Sequence, residues 1–389
     1  MNIDVTALAE DAMKSINEKL KNMKKLNIAV VGKSGVGKST LINSVFRENL
    51  AEVGIGRPVT QEICRIEKKD FPLTVYDTPG FEVDSDRHER VRDGLIEIVK
   101  KSLDSRKAEE DMIHCIWYCV SGQGGRFEDA EAEWIRSFTE EARLFKVPVI
   151  IVLTQSFPKS KARELKSEIE ALNLDVCKVV NVLAQDIYDS DEGEEELVCK
   201  AYGLDVLIQL MEEVLPDELI DTLQNVQKAA LKQKVKRAHA VVAASTAAAM
   251  GASAVPAPVV DAAMIVPVQI SMIAAITSLF GLKVSKSVIT AFISSTIGTT
   301  LTTIGGRAAF GALVKLVPGG GAVAGAVMQG ATAGIFTTAL GEAYIQIMVA
   351  VAKGEMTEEE LVSESGRERM KELFRLKLGD KRSDTYSES

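Results

Sequence analysis

The chain has 389 residues, of which 26% are charged and 46% apolar, and a formal net charge of -9. That length exceeds what one core usually organises, so two domains, or one domain with a large attachment, are expected. The excess of acids disfavours a general nucleic-acid binder, because neutralising phosphates takes clustered Lys and Arg.

At the N-terminus, MNIDVTALAED carries acids and lacks the basic flank and apolar run of an export signal, so this end is not expected to direct export. Val5, Leu8, Ala9, Ala12, Met13, Ile16 and Leu20 recur at helical spacing and predict an amphipathic helix over residues 5–25 whose stripe needs a partner. From Leu26 to about Ala184 the runs LNIAVV, LTVYDT, MIHCIWYCV, VPVIIVLT and VVNVLA are predicted strands, with helices starting near Lys38, His88, Phe127 and Lys159. Strands alternating with helices mean an α/β domain with a mostly parallel sheet and helices on both faces. Cys64, Cys115, Cys119, Cys177 and Cys199 contain no Cys-x-x-Cys pair and lie mostly in apolar runs, which predicts reduced core residues in a cytosolic compartment.

The acidic run DIYDSDEGEEE (Asp186 to Glu196) reads as a solvated surface loop, and GLDVLIQLMEEVLP as the closing helix of the first domain. Composition then changes. Between Val241 and Leu282 only Asp261 is charged, and from Ser287 to Ala352 only Arg307, Lys315 and Glu342 are. Charge returns in MTEEELVSESGRERMKELFRLKL, a predicted helix with Thr357 at its cap, followed by GDKRSDTYSES as a disordered end. The expected segments are 1–25, 26–217, 218–353 and 354–389.

Chemistry concentrates after the first strand. Gly32-Lys33-Ser34-Gly35-Val36-Gly37-Lys38-Ser39 sits between an apolar run and a helical pattern, the context of a phosphate-binding loop. Backbone N–H groups over Lys33 to Thr40 would face the phosphates at the positive end of the helix; Lys38 would reach the β- and γ-phosphates and the Ser39 hydroxyl would ligate Mg²⁺. The alternative is a chance glycine-rich turn. Asp77 ends the strand LTVYD at the sheet edge, where a water-mediated Mg²⁺ contact belongs, and Gly80 can donate its N–H to the γ-phosphate.

With that loop, Asp77-Thr78-Pro79-Gly80 makes the chain resemble the GTPase superfamily, whose first and third motifs these match. Over about Leu26 to Pro216 it looks most like the Era-related and septin-like, immunity-related branches. The resemblance implies a Ras-like fold, GTP and GDP with Mg²⁺ as ligands, and GTP hydrolysis. Thr60 in GRPVTQEI stands where the family has its switch I threonine, so the implied metal set is Ser39, Thr60 and Asp77; an ordinary strand-entry hydroxyl is the other reading. The implied catalytic set is Lys38, Thr60, Gly80 and Arg126. Phe81 replaces the water-orienting glutamine of Ras-like proteins, so turnover is expected to be slow without another group, K⁺, a partner, or a homodimer formed through the nucleotide face. Arg126 in SGQGGRFED resembles the Arg-Phe turn of the septin-like branch and could act as an arginine finger across a dimer; otherwise it is a surface arginine pairing with Glu128 or Asp129. For the base, the family expects Asn-Lys-x-Asp or Thr-Lys-x-Asp, and here stand Thr154, Gln155, Ser156 and Phe157. Gln155 would lie over the base, Ala184 in VVNVLAQD would offer a backbone N–H to the base oxygen, and Phe157 cannot accept hydrogen bonds. GTP is favoured on the first and third motifs.

Roughly Ala240 to Val351 resembles the alanine- and glycine-rich C-terminal domain of unknown function fused to such GTPases in bacteria, which implies an all-α domain without a catalytic role. Ala262–Leu282 is the best spanning candidate, and Gly321-x-x-x-Gly325 and Gly330-x-x-x-Gly334 allow close helix contact in lipid or in a soluble bundle. Two readings stand: these helices bury one another and the N-terminal helix, or they meet the cytoplasmic membrane, with Lys232, Lys234, Lys236 and Arg237 suited to anionic headgroups. The functional expectation is a cytoplasmic GTPase whose nucleotide state controls the helical domain. Its alternative is a structural or membrane-remodelling protein with a nearly inert or relaxed-specificity nucleotide domain. A gated channel is disfavoured, because Asp261, Gln269 and Glu342 are too few to line a path.

Overall fold

Leu26–Gly32 is a seven-residue run with every residue buried, and it forms β1, the middle of the sheet. The computed structural model describes residues 4–47, 55–58, 63–78, 85–104, 112–123, 127–189, 196–252, 261–298 and 325–387. It divides into two units, Met23–Ala230 and Met1–Asn22 with Leu231–Ser389.

In the first unit, α2 (Lys38–Val45), β2 (Ile55–Pro58), β3 (Cys64–Glu67), β4 (Leu73–Asp77), α3 (Ser85–Asp104), β5 (Cys115–Ser121), α4 (Asp129–Phe145), β6 (Val149–Thr154), α5 (Lys159–Ala171) and β7 (Lys178–Asn181) follow β1. The sheet has seven strands in the order β2-β3-β4-β1-β5-β6-β7. β1 runs parallel to β4 and β5, as do β5 to β6 and β6 to β7, whereas β3 pairs antiparallel with β2 and β4. The antiparallel edge was not expected: β2 and β3 are short and carry Arg57, Arg65 and Glu67, with no sustained apolar run to announce them.

Two-residue alternation splits the central strands between two cores. Leu26, Ile28 and Val30, with Trp117, Ile150 and Val152, pack with Leu41 and Ile42 of α2. Ala29 and Val31, with Tyr118, Val149 and Ile151, face Val91 and Leu95 of α3, Trp134 and Phe138 of α4, and Leu165 of α5. Because both faces are covered, the strands read as continuous apolar runs.

After β7 the acidic run is no simple loop. Ile187–Asp189 (β8) pairs antiparallel with Glu196–Cys199 (β9). Helix α6 (Leu204–Val214) follows, then α7 (Asp217–Val226), which groups by its contacts with the first unit. Leu219, Leu223 and Val226 of α7 share the core of β1, and Arg47 donates to the Asn225 side chain at 2.7 Å. All five cysteines are free, but only Cys115 and Cys119 lie in the core; Cys177 is exposed and Cys64 and Cys199 are half-buried, because they sit at edges of the fold.

The second unit is helical: α1 (Val5–Lys21), α8 (Leu231–Ala252), α9 (Asp261–Phe280), α10 (Lys286–Ile293) with a π-turn over Ser294–Gly298, α11 (Gly325–Ala352), α12 (Glu358–Val362) and α13 (Glu364–Ser387). Asp4 caps α1 by accepting from the Thr6 and Ala7 N–H groups, and Ala9, Ala12 and Ile16 bury the predicted stripe against α9 and α10. Thr357 and Glu360 form a reciprocal capping box at α12. Met370 and Phe374 of the expected charged helix enter this core, and α13 continues to Ser387, into the stretch expected to be disordered.

Gly334 and Gly341 bring α11 against α8: a Cβ at Gly341 would lie 2.4 Å from Val242 Cγ2 and one at Gly334 2.7 Å from Met250 Cγ. Only Gly334 belongs to the two Gly-x-x-x-Gly repeats; Gly321 lies outside the described residues. Among the described residues, the one helix long and apolar enough to cross a membrane is Ala333–Ala352, of which 56% is buried; within the expected Ala262–Leu282 the described apolar stretch is Ile265–Phe280. A buried core helix meets the same criterion. Lys234 is not available to headgroups: it is 3% exposed and donates to the Leu279 and Phe280 carbonyls at 3.2 and 2.8 Å, at the end of α9 where helix carbonyls lack partners.

Candidate nucleotide site

The loop from β1 to α2 has its shape because of where β1 ends. At Gly32 φ is +149°, and a Cβ there would stand 2.4 Å from the Cys119 carbonyl oxygen, so no other residue fits. Gly37, in a left-handed conformation, opens α2 with no side-chain cap, which leaves the first-turn N–H groups for an anion. Lys38 Nζ is enclosed by the loop it follows, donating to the Gly32 and Lys33 carbonyls at 2.8 and 3.1 Å.

Lys38 and Asp77 face each other electrostatically. Burial lowers the Lys38 pKa, with Asp77 opposing that shift; burial raises Asp77, with Lys38 opposing. In both groups desolvation wins, so the site holds charges that an anion and a cation would relieve. Asp77 Oδ1 is buried without a hydrogen-bond partner, and Ser39 is exposed on the first turn of α2. A hydroxyl and a carboxylate are hard oxygen donors that fit a magnesium ion.

Lys33 is held elsewhere: its ammonium pairs with Glu128 and Glu131, both at 3.1 Å. Burial works to lower its pKa, but the two carboxylates outweigh it and the value lies above the ordinary one. Only the backbone of Lys33 is therefore available to phosphate. Glu131 is 2% exposed and also accepts from the Glu128 N–H at the start of α4, so it ties the loop to that helix. No spacing in the sequence announced this latch.

The loop leads into a cavity of about 260 Å³ between the ends of β6 and β7. Gly37, Thr40, Thr154, Gln155, Phe157 and Ala184 line it, together with Gln123, Leu183, Gln185, Asp186 and Ile187. Thr154, 2% exposed, donates to Val36 and Val120 carbonyls and so fastens β6 to the loop. Gln155, with φ of 51°, accepts from Ser121 Oγ at 2.8 Å and donates to the Gly35 carbonyl at 3.1 Å.

The structure thus brings together Lys33, Ser34, Gly35, Val36, Gly37, Lys38, Ser39 and Thr40 as one loop and first turn, Asp77 beside Lys38, and Thr154, Gln155 and Ala184 around the adjoining cavity. Thr60, Gly80, Phe81 and Arg126 lie outside the described residues. Glu128, an expected partner of Arg126, is engaged by Lys33.

Residues 27–155 match the family described as 50S ribosome-binding GTPase. The chain carries a P-loop GTPase domain. Residues 219–376 match the Domain of unknown function DUF697, so this GTPase domain is joined to a DUF697 domain. Septin-4 of Homo sapiens is 26% identical over 198 residues, covering 43% of this chain and 38% of that protein. Cell division control protein 10 of Candida albicans is 28% identical over 209 residues, covering 46% and 54%. The chain therefore spans well under two thirds of these relatives. Among solved structures, Toc33 from Arabidopsis thaliana in complex with GDP and Mg²⁺ is 18% identical over 57% of this chain and 94% of that one, with a TM-score of 0.32.

Proposed function

We propose that the GTPase domain binds GTP and GDP with Mg²⁺ and hydrolyses GTP, and that nucleotide state controls exposure, docking or membrane association of the helical domain. The observation that carries the reading is the loop closed around Lys38 beside a buried, unpartnered Asp77 oxygen. Uncapped N–H groups of α2 and the Lys38 ammonium bind and orient the phosphates. Ser39 and Asp77 would hold a magnesium ion, whose charge would offset that on the phosphate oxygens. Thr154 and Gln155 keep the loop in register with the base cavity. With Phe81 where a water-orienting glutamine stands in Ras-like proteins, turnover is slow until a second copy at the nucleotide face, or another partner, completes the site.

Phe157 in the cavity favours a second reading, a relaxed-specificity or nearly inert nucleotide domain serving a structural or membrane-remodelling protein. Calorimetric titration with GTP, GDP and ATP analogues in Mg²⁺ separates the two. Lys38→Ala is expected to weaken nucleotide binding at least ~100-fold, since it removes a buried charge that the phosphates face. Steady hydrolysis abolished by this substitution eliminates the inert alternative. Partitioning onto anionic vesicles that is identical with every nucleotide, and unchanged in Lys38→Ala, removes the control part of the proposal.

A further inference from the structure

The cavity beside the phosphate loop needs a group that reads the base, and Phe157 cannot supply one. Phe157 lies just beyond β6; Asp186 lies beyond β7, the next strand in the sheet, and lines the same cavity. Among the described residues that line the cavity, it is the only ionisable one.

Asp186 is also held in place. The Ala201 N–H donates to its Oδ1 at 2.6 Å, and the Tyr188 hydroxyl donates to Oδ2 at 3.5 Å, a long and weak bond. Leu183 and Tyr202 exchange two backbone hydrogen bonds, both at 3.0 Å, and so fix the strip on which Asp186 sits. Each carboxylate oxygen thus has one protein donor and keeps a lone pair free to accept a further hydrogen bond.

Base chemistry then discriminates. Guanine offers adjacent donors, its N1–H and 2-amino group, and a carboxylate accepts from both. Adenine presents an unprotonated N1 acceptor at the same edge, which a carboxylate repels. We infer that Asp186 is the specificity-determining residue of this cavity, its carboxylate taking the N1–H and 2-amino hydrogens of guanine from the β7 side in place of a group at 157.

This rests on the nucleotide-binding reading, and the test keeps the two apart. Affinities for GDP, IDP, XDP and ADP in Mg²⁺ are measured on the full chain, on Lys38→Ala and on Asp186→Asn. The wild type is expected to prefer GDP over IDP, which lacks the 2-amino group, by roughly 10-fold, and over ADP by more. Asp186→Asn keeps an oxygen for the Ala201 N–H and should lose roughly 10- to 100-fold in GDP affinity, with preference moving toward XDP, whose 2-oxo group suits an amide donor. If Asp186→Asn does not fold, Asp186→Ser is expected to lose the same preference. A variant that keeps the wild-type GDP:IDP:XDP ratios overturns the assignment. Wild-type protein that binds all the nucleotides alike also overturns it, while leaving the phosphate site intact; wild-type protein that binds none, like Lys38→Ala, overturns the nucleotide reading as well.

Discussion

Polar side chains join helix to helix in the second unit, whereas in the first they gather at the ends of strands around the phosphate loop. In the helical unit, polar side chains pair across the helices: Thr277 and Tyr344 share a buried hydrogen bond of 2.7 Å, Gln269 donates to Thr337 at 3.3 Å, and the half-buried Thr246 and Thr338 meet at 2.8 Å. In the GTPase domain, the buried Asp77 oxygen has no partner and the first turn of α2 has no cap. Closed pairs specify how helices fit together; open groups at strand ends wait for a ligand. The contrast places the candidate nucleotide site in the first unit.

Backbone closeness offers the sharpest way to break that contrast. Gly32→Ala sets a Cβ against a carbonyl of β5 at a φ favoured only by glycine, and should cost the first unit roughly 3–5 kcal/mol in urea unfolding while leaving the helical unit's transition unmoved. A coincident loss in both transitions would mean that the units do not unfold separately.

A pH effect confined to the first unit comes next. Burial pulls the His114 pKa down to about 4, and its Nδ1 accepts from the Asn27 N–H at 3.0 Å, which requires the neutral ring. The unfolded imidazole titrates near 6.5, so between these values the unfolded state binds the extra proton and stability falls as pH falls. The loss should reach about 2 kcal/mol by pH 5 and be absent in His114→Asn, measured as the change in unfolding free energy between pH 7 and pH 5.

The smallest effects test the helical seam. Gly341→Ala drives a methyl into branched Val242 and should destabilise that unit by about 1–3 kcal/mol; Gly334→Ala meets the flexible end of Met250 and should cost less than about 1 kcal/mol. Equal losses would show that the seam does not depend on the shape of the opposing side chain.

Contiguous residues made much of this protein legible in its sequence. The phosphate loop, the parallel strands, the amphipathic α1 and the Thr357 cap each occupy one short stretch whose spacing carries the geometry, because hydrogen-bond and side-chain periods are local. The sequence by itself also marked the change from an α/β composition to an alanine- and glycine-rich one. Only the tertiary structure decided that Glu131 holds Lys33 from 98 positions away, that Lys234 is buried, that α7 completes the first core, and that Asp186, the head of an apparent acidic loop, faces the same cavity as Phe157. Such meetings depend on which strands lie side by side in the sheet, and no spacing along the chain encodes that order.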